Sequence, residues 1–494
     1  MRILMLGWEF PPFIAGGLGT ACYGLTKALD RLGHEVVFIL PKPVDSSQSS
    51  HIRLLSPEAI RALPPDAPQL RAGVGTTVAA TPGSTAAAGQ FVGADSYTMP
   101  EFARTTFHAL PASFSSPYPE FASKGGAGGT GPAAAIAGTP AIGPDGLPLL
   151  GPDGAPLVWP EGVDPQVIHG VAAGVGGGAG AGYEGDMVDN AERYARLVVA
   201  LGRHERFDVI HAHDWMTFPA GLWIARATGK PLVVHVHSTE FDRAGDHPNQ
   251  RVYDIERRGM HGAMKIIAVS ELTKSICTKR YGVDPAKVSV VYNGIDNESA
   301  ANKGADRIEA RDKIVLFLGR ITMQKGPEYF VRAAKRVLEK VPHTKFIMAG
   351  SGDMYTRSIE EAAALGIGHR FSFTGFLRGK QVDEVFRMAD CYVMPSVSEP
   401  FGIAPLEAMR NDTPVIISKQ SGVSEVLTHA LKVDFWDIDD MADKIVAVLR
   451  HPPLSQTLRE HGSFELRKLT WDGAAAKCVQ AYGAAIAGLA TVAR

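Results

Sequence analysis

Short apolar runs alternate with amphipathic stretches along most of the chain. The first run, Arg2–Leu6, predicts a buried strand, and residues 19–32 then place apolar side chains at the three-to-four spacing of one helix face. Gly33 is typical of a helix end, and the apolar run Glu35–Leu40 predicts the next strand. The opening of the chain therefore reads as a strand, a helix and a second strand.

The same alternation continues in two series, separated by a polar, charge-rich join at about residues 297–311. The first series continues with a helix at 191–203 and strands at 208–212, 232–237, 266–270 and 288–292. The second series places strands at 314–318, 345–349, 370–374, 391–395 and 415–418, with helices at 327–340, 354–365, 380–388 and 404–410. Strands that alternate with helices form parallel sheets from right-handed βαβ units. The pattern therefore predicts an α/β protein with two Rossmann-like, doubly wound domains facing a cleft.

Between about residues 60 and 187 the pattern fades into Gly, Ala, Pro and Ser. Glycine and proline number 53 and 33 in the whole chain, and this segment carries a tandem octapeptide, GPDGLPLL then GPDGAPLV, at 143–158. Such tracts bury too little apolar surface to offset the entropy of ordering. We expect a long, mostly disordered insertion with ordered pieces around 107–118. A solenoid is the alternative, but repeat architectures need about three copies and two are visible.

These boundaries predict an N-terminal domain at 1–300 that carries the insertion and a C-terminal domain at 301–470, followed by a separate final segment at 471–494. The formal net charge of −2 supplies no global basic field to bind nucleic acid. The four cysteines lie far apart, which argues against a disulfide framework and suits a reducing cytoplasm. No apolar run approaches eighteen residues, and the N-terminal run is too short for a signal peptide. Peripheral membrane contact stays open.

Two loops of the first domain are chemically unusual, and ligands of such sheets bind beyond the carboxyl ends of the strands. The loop WEFPPFIAGGLG has glycines at Gly16 and Gly17, which suit either a structural turn or a phosphate at a helix start. HAHDW ends the strand at 208–212, and its His213 is either a substrate ligand or a core histidine. A His-x-His pair alone lacks a third metal ligand within reach by sequence. VHVHSTE at 234–240 ends the next strand and is expected to line the same cleft, the alternative being a polar strand end without a ligand.

Two further loops belong to the second domain. GRITMQKG places Arg320 and Lys325 directly after a strand and before a helix, which suits a diphosphate, although exposed cations are often only solvated. PSVSEPFGIAPLEAM places Glu399 in a loop and Glu407 about one turn into the next helix. Carboxylates accept directional bonds from sugar hydroxyls, whereas the alternative is a surface acid plus an acid at a helix terminus.

The sequence Asp437-Ile438-Asp439 matches a D-x-D motif of the kind that holds a metal ion in some enzymes. It stands immediately before an amphipathic stretch, where Asp439 or Asp440 is expected to cap a helix. We therefore predict no catalytic metal and no cofactor.

Taken together, WEFPPFIAGGLG, HAHDW, YNGID (292–296), GRITMQKG and SEPFGIAPLEAM, in this order, resemble the retaining GT-B glycosyltransferases. The resemblance is to glycogen and starch synthases and the related family 4 and family 5 enzymes. It covers nearly the whole chain outside residues 60–187. It implies a metal-independent hexosyltransferase that uses a nucleotide-sugar donor.

In the second domain the resemblance implies four side-chain roles. Arg320 and Lys325 would bind the donor diphosphate and stabilise the departing phosphate. Glu399 would hold the hydroxyls of the donor sugar, and Glu407 would bind the ribose. Backbone amides would support the sugar at Phe401, Gly402 and Ile403.

In the first domain the resemblance implies that Gly16 and Gly17 approach the diphosphate, and that His213 and Asn293 contact the donor sugar near the reacting carbon. The segment that begins at Trp471 resembles the C-terminal helix that crosses back to the first domain.

Two departures leave the donor and the acceptor open. Glycogen and starch synthases have a lysine two residues before the glycine pair, where this chain has Ile14, and VHVHSTEFDR differs from the run of the bacterial enzymes. The expectation is a retaining transfer of a hexosyl, and specifically glucosyl, group from ADP-glucose or UDP-glucose to a glycan or small hydroxyl acceptor. The alternatives are an inactive sugar-nucleotide or glycan-binding protein and a GT-B sugar-nucleotide epimerase.

Overall fold

The structure is a computed structural model that describes residues 1–10, 16–41, 95–97, 102–109, 186–296 and 312–492. The tandem octapeptide, Ile14 and most of the segment 60–187 lie outside these residues, as does the join at 297–311. Within the described part of the chain, no helix is both long enough and apolar enough to span a membrane. All four cysteines are buried and free.

Eight strands in the described residues form the first sheet, in the spatial order β3-β4-β2-β1-β5-β6-β7-β8. Neighbouring strands run parallel except for β3, which pairs antiparallel with β4. The strand bounds are β1 (Arg2–Leu6), β2 (Glu35–Leu40), β3 (Asp95–Tyr97), β4 (Thr105–Ala109), β5 (Val209–His213), β6 (Leu232–Val236), β7 (Lys265–Ala268) and β8 (Val288–Val290). Buried apolar side chains cover both faces of this sheet, as expected of a parallel sheet with helices on either side.

Helices connect these strands. Their bounds are α1 (Gly17–Arg31), α2 (Asp186–Gly202), α3 (Phe218–Thr228), α4 (Glu240–Ala244), α5 (Gln250–Gly262) and α6 (Glu271–Tyr281). In α1, the apolar positions Cys22, Leu25 and Leu29 are buried, which confirms the predicted helix face. Gly33 follows that helix with a φ of 84°, a conformation that glycine adopts without strain.

Two strands come from within the segment 60–187. β4 pairs in register with β2, Phe38 opposite Phe107, and Phe107 is fully buried among aromatic rings. This part of the segment therefore belongs to the core of the first domain. Of the ordered piece expected around 107–118, residues 107–109 fall on β4 and the rest lies outside the described residues.

The second sheet has six strands in the described residues, all parallel, in the order β11-β10-β9-β12-β13-β14. Its strands are β9 (Lys313–Leu318), β10 (Thr344–Ala349), β11 (Phe371–Gly375), β12 (Cys391–Met394), β13 (Val415–Ser418) and β14 (Leu431–Val433). Its helices are α7 (Pro327–Lys340), α8 (Tyr355–Ala364), α9 (Lys380–Met388), α10 (Ala404–Arg410), α11 (Ile438–Arg450) and α12 (Pro452–Glu465). Two parallel α/β sheets confirm the predicted fold class.

The D-x-D motif lies at the start of α11. The Asp437 carboxylate accepts a hydrogen bond from the backbone N–H of Asp440 at 3.0 Å and caps the helix, while Asp439 lies in its first turn. The prediction that Asp439 or Asp440 forms the cap is therefore wrong by two or three positions. The first aspartate takes the role because the helix begins earlier than the apolar pattern indicates.

A long final helix, α13 (Trp471–Val492), packs on α1 and on strands of the first sheet. Trp471 and Tyr482 are buried there with Val209 and Val233. The C-terminal segment thereby completes the core of the N-terminal domain.

Gly24 in α1 allows the close approach of α13. A Cβ atom at Gly24 would lie 2.2 Å from a ring carbon of Trp471, far inside van der Waals contact. We expect Gly24→Ala to destabilise the protein by about 1–3 kcal/mol, because overpacking outweighs the gain in helix propensity. Thermal unfolding measures the effect. The matched control is Gly483→Ala, where a Cβ meets nothing within 4 Å and stability should not fall; equal melting temperatures for both variants would contradict the packing argument.

Candidate active site

A cavity of about 640 Å³ lies between the two sheets, at the carboxyl ends of their strands. Ten of the eleven side chains and backbone positions predicted from the sequence line its wall. They are Gly16, Gly17, Asn293, Arg320, Lys325, Glu399, Phe401, Gly402, Ile403 and Glu407. The eleventh, His213, does not line the cavity.

The cation and carboxylate predicted from separate loops form one unit. The Lys325 ammonium is paired with the Glu399 carboxylate, and Ser396 donates a hydrogen bond to the same carboxylate at 3.4 Å. Glu399 is only 8% exposed. This corner of the cavity therefore presents a basic and an acidic side chain next to each other.

Gly326 brings these two loops together. Its φ is 64°, and a Cβ there would lie 2.2 Å from the carbonyl oxygen of Pro395. A larger residue would push the Lys325 turn away from the strand end that precedes Glu399. The Gly-Pro start of α7 is therefore required by the contact between loops.

Gln324, which the sequence analysis did not single out, holds the same two loops by hydrogen bonds. It is 5% exposed, accepts from Arg320 at 3.3 Å and donates to the carbonyl of Ser398 at 3.0 Å. Its own carbonyl accepts from the N–H of Val397 at 2.9 Å. Gln324 lies in the cavity wall and orients the Arg320 guanidinium.

Glu407 lies in the first turn of α10, where negative charge is favoured by the helix dipole. Burial raises the pKa of Glu407 above its ordinary value, and Arg410 partly offsets that shift. Gly402, with a φ of 103°, makes the turn from the Glu399 loop into this helix. Seven residues separate Glu399 from Glu407, and the chain connects them through a turn that requires glycine at position 402.

The first domain contributes the N-terminus of α1. Among the residues that the structure describes, no side chain caps this helix, and a Cβ at Gly16 or Gly17 would meet nothing within 4 Å. Free N–H groups at a helix start attract anions. Both glycines line the cavity, where the absence of side chains leaves room beside the helix start.

His213 lies fully buried at the end of β5, and its Nδ1 atom is 2.9 Å from Nε2 of His237. His237 and Asp214 line the cavity in its place. His213 is the last residue of β5, and its side chain lies on a buried face of the sheet, one residue before the chain leaves the strand. The expected direct contact of His213 with the donor is therefore not supplied by this geometry.

Asp214, whose role the sequence analysis missed, has an unusual backbone. Its φ of 58° is rare for a residue other than glycine, and such strain clusters at functional sites. Its carboxylate accepts from the N–H of His237 at 2.7 Å and of Ser238 at 3.3 Å. Burial raises the pKa of Asp214 to about 7 and lowers the pKa of His237 to about 3. The sequence contained a signal for this residue, because Asp214 is part of the HAHDW motif.

Arg243, Arg378 and Arg410 add cationic side chains to the wall that the sequence analysis also missed. Arg243 donates to Glu240, Glu256 and Ser238, and so is fixed in direction. No motif marks these positions, because each comes from a separate helix or loop.

Hydrogen bonds join the two domains beside the cavity. Ser398 donates to the Asp242 carboxylate at 2.6 Å, one residue before Glu399. Glu425 of the second domain accepts from the N–H groups of Glu271 and Leu272, at 2.9 and 2.8 Å, and caps α6. The domains therefore meet around the cavity wall.

A third imidazole accompanies the HAHDW pair. His235 lies opposite His213 in the register of β5 and β6, and within the described residues His211, His213 and His235 are the group that could hold a metal ion. This third candidate ligand is out of reach along the sequence and comes instead from the neighbouring strand.

Comparison with known proteins agrees with the fold and the motifs. Three family profiles match successive parts of the chain: the starch synthase catalytic domain over residues 2–80, glycosyltransferase family 4 over 184–299 and glycosyl transferases group 1 over 299–463. An uncharacterized glycosyltransferase of Methanocaldococcus jannaschii is 31% identical over 310 residues, covering 59% of this chain and 79% of the relative. The D-inositol 3-phosphate glycosyltransferase of Actinosynnema mirum is 30% identical over 326 residues, covering 59% and 76%.

Solved structures share the architecture. Sucrose-phosphate synthase of Thermosynechococcus elongatus superposes with a TM-score of 0.64 at 17% identity, covering 99% of this chain and all of that one. The HepE protein of Anabaena in complex with UDP-glucose superposes with a TM-score of 0.52 at 19% identity, covering 60% and 82%. With two facing sheets, the ordered motifs and these relatives, the chain belongs to the GT-B glycosyltransferases of the group 1 and family 4 type.

Proposed function

We propose that this glycosyltransferase is a retaining hexosyltransferase that moves a glucosyl group from a nucleoside diphosphate sugar to a hydroxyl acceptor. The observation that carries the proposal is the convergence of Arg320, Lys325, Glu399 and Glu407 on one cavity with Gly17 opposite them. Diphosphate, sugar and ribose each find a group of suitable chemistry there. The cavity of about 640 Å³ is large enough for a ligand of that size.

The residues suit the chemistry of the leaving group. Negative charge develops on the diphosphate as the glycosidic bond breaks, and fixed cations at Arg320 and Lys325 stabilise it most strongly where water is excluded. No side chain is assigned as the nucleophile or base: in the proposed reaction the acceptor hydroxyl attacks from the leaving-group side, which retains the anomeric configuration.

The names of relatives narrow the donor and the acceptor. The Anabaena protein binds UDP-glucose in its solved complex, which favours a uridine donor with glucose. The Actinosynnema relative is named for D-inositol 3-phosphate, and the Thermosynechococcus protein for a phosphorylated sugar product. A small phosphorylated molecule is therefore a second candidate acceptor, besides a glycan. Four buried free cysteines suit the reducing cytoplasm in which we place the reaction.

A donor and acceptor screen tests the proposal. Purified protein is given UDP-, ADP- and GDP-sugars with glycogen, D-inositol 3-phosphate or no acceptor, and released nucleoside diphosphate is measured. Turnover that needs an acceptor, with an α-linked product by NMR from an α-linked donor, is the expected result. A changed sugar without acceptor would identify an epimerase, and binding without turnover would identify a binding protein.

Gly17→Ala tests the approach of the donor to α1. The added methyl meets no protein atom within 4 Å, so stability should not fall. It would occupy space beside the diphosphate, and we expect KM for the donor to rise roughly tenfold, equivalent to about 1.4 kcal/mol of lost binding, with kcat little changed. Steady-state kinetics and thermal unfolding measure both effects. Gly483→Ala, on an exposed part of α13, is the control; an unchanged KM for Gly17→Ala would exclude a close approach here.

A further inference from the structure

Four histidines form a column on one face of the first sheet. His211 and His213 alternate along β5, and His235 and His237 continue the same face from β6, with His213 opposite His235. Val209 and Val233 lie on this face below them, packed against α13. His211 and His213 are fully buried and His235 is 2% exposed.

Three of these rings carry nitrogens that the protein itself does not satisfy. Nε2 of His211, Nε2 of His213 and both nitrogens of His235 are buried and have no hydrogen-bond partner among the residues that the structure describes. Buried polar atoms are nearly always paired, and unpaired ones call for a specific explanation. Four such atoms in one cluster point to a ligand.

The other nitrogens of two rings are held in place. Nδ1 of His211 is 2.8 Å from the Tyr482 hydroxyl on α13, and Nδ1 of His213 is 2.9 Å from Nε2 of His237. Histidines that bind metal ions characteristically use their second nitrogen for such a bond, which fixes the ring and the tautomer. His211 and His213 therefore each have one nitrogen that the protein orients and one without a partner in the described residues.

We propose that His211, His213 and His235 bind one divalent transition metal ion, of the zinc class, in a buried site separate from the donor cavity. One ring nitrogen of each lies within 4.8 Å of the others. Zinc–nitrogen bonds of about 2.0–2.1 Å in a tetrahedron place nitrogens roughly 3.4 Å apart, so small ring rotations close the site. Imidazole ligands suit zinc, copper and nickel rather than magnesium or calcium.

The chemistry of the surroundings agrees with this assignment. Neutral imidazole offers the lone pair of one ring nitrogen to a metal ion. The ion would link β5 and β6 and, through Tyr482, fix α13 on the sheet. Its role is structural, and it does not depend on which sugar is transferred.

The first experiment measures the metal in full-length protein purified without an affinity tag or chelating resin. We expect about one equivalent of zinc-class metal per chain by mass spectrometry. Removal by a strong chelator should lower the melting temperature, and added Zn²⁺ should restore it. Cobalt substitution should give the visible absorption bands of Co²⁺ bound by histidine nitrogens. Protein without bound metal, whose melting temperature Zn²⁺ does not change, would overturn the proposal.

Variants locate the ion. His235→Leu should abolish metal binding and lower the melting temperature, and Tyr482→Phe should weaken affinity about 10- to 100-fold while the ion still binds. His369→Leu, at an exposed histidine of the second domain, should change neither property. If the site binds no metal, His235→Leu removes unpaired buried nitrogens and should raise the melting temperature instead. Metal retained in folded His235→Leu would also overturn the assignment; should that variant not fold, the wild-type metal content and cobalt spectrum decide.

Discussion

Replacing Lys325 by alanine is expected to lower kcat by about 10²- to 10³-fold, the scale observed when one fixed group that stabilises developing charge is removed. Lys325 lies in the turn between β9 and α7, and its ammonium is paired with Glu399 across the loops. In the proposed reaction the diphosphate gains charge as its bond to the sugar breaks, and it would then compete with Glu399 for that ammonium. The loss therefore falls on the transition state more than on donor binding.

The measurement is steady-state release of nucleoside diphosphate, with circular dichroism to establish that the fold is kept. Lys335→Ala is the matched control, because Lys335 is an exposed lysine of α7 that does not line the cavity. The double variant Lys325→Ala/Glu399→Ala should lose much less than the sum of the single effects, since the two side chains act as a pair. Turnover of Lys325→Ala within twofold of the control would refute its role.

Glu399→Ala is expected to lower kcat/KM by roughly 10²-fold, the effect of losing hydrogen bonds between a charged group and sugar hydroxyls. The binding signature separates this residue from Glu407. Glu399→Ala should keep its affinity for free nucleoside diphosphate and lose affinity for the nucleotide sugar. Glu407→Ala should lose affinity for both, because its proposed partner is the ribose.

Calorimetric titrations with a nucleoside diphosphate and with its sugar conjugate measure these affinities. Glu384→Ala, at an exposed carboxylate of α9 outside the cavity, serves as the control. Equal loss of both ligands in Glu399→Ala would place that carboxylate on the nucleotide instead, and the proposed arrangement of the donor would be wrong.

The sequence predicted the second domain well because its signals are local. β13 and α9 occur at the predicted bounds, and α10 begins where the Glu399 loop ends. Glycine, proline and the apolar period mark the boundaries of the predicted elements within a few residues, whereas β14 and α12 were not predicted. The four charged residues of that domain could be placed on loops at one edge of a sheet, and the cavity gathers them.

The first domain was less predictable because its site depends on contacts between distant segments. Whether His213 or His237 reaches the cavity depends on where each strand ends, since His213 still belongs to β5 whereas His237 follows the last residue of β6. The pairing of β4 with β2 crosses a segment whose composition masks a strand. Neither the position of these strand ends nor the pairing of β4 with β2 produces a local sequence pattern from which it could be predicted.

The path of the chain through α13 has a consequence during synthesis. β7 ends at Ala268, whereas Trp471 and Tyr482, which cover the same sheet, come about 200 residues later. At about 5–20 residues per second, the part of that face over β5, β6 and β7 stays uncovered for about 10–40 s. The second domain, with clusters of its own, can close on the ribosome during this interval. The first half of the protein to be translated is therefore the last to be completed, and its bare face is the surface a chaperone would meet.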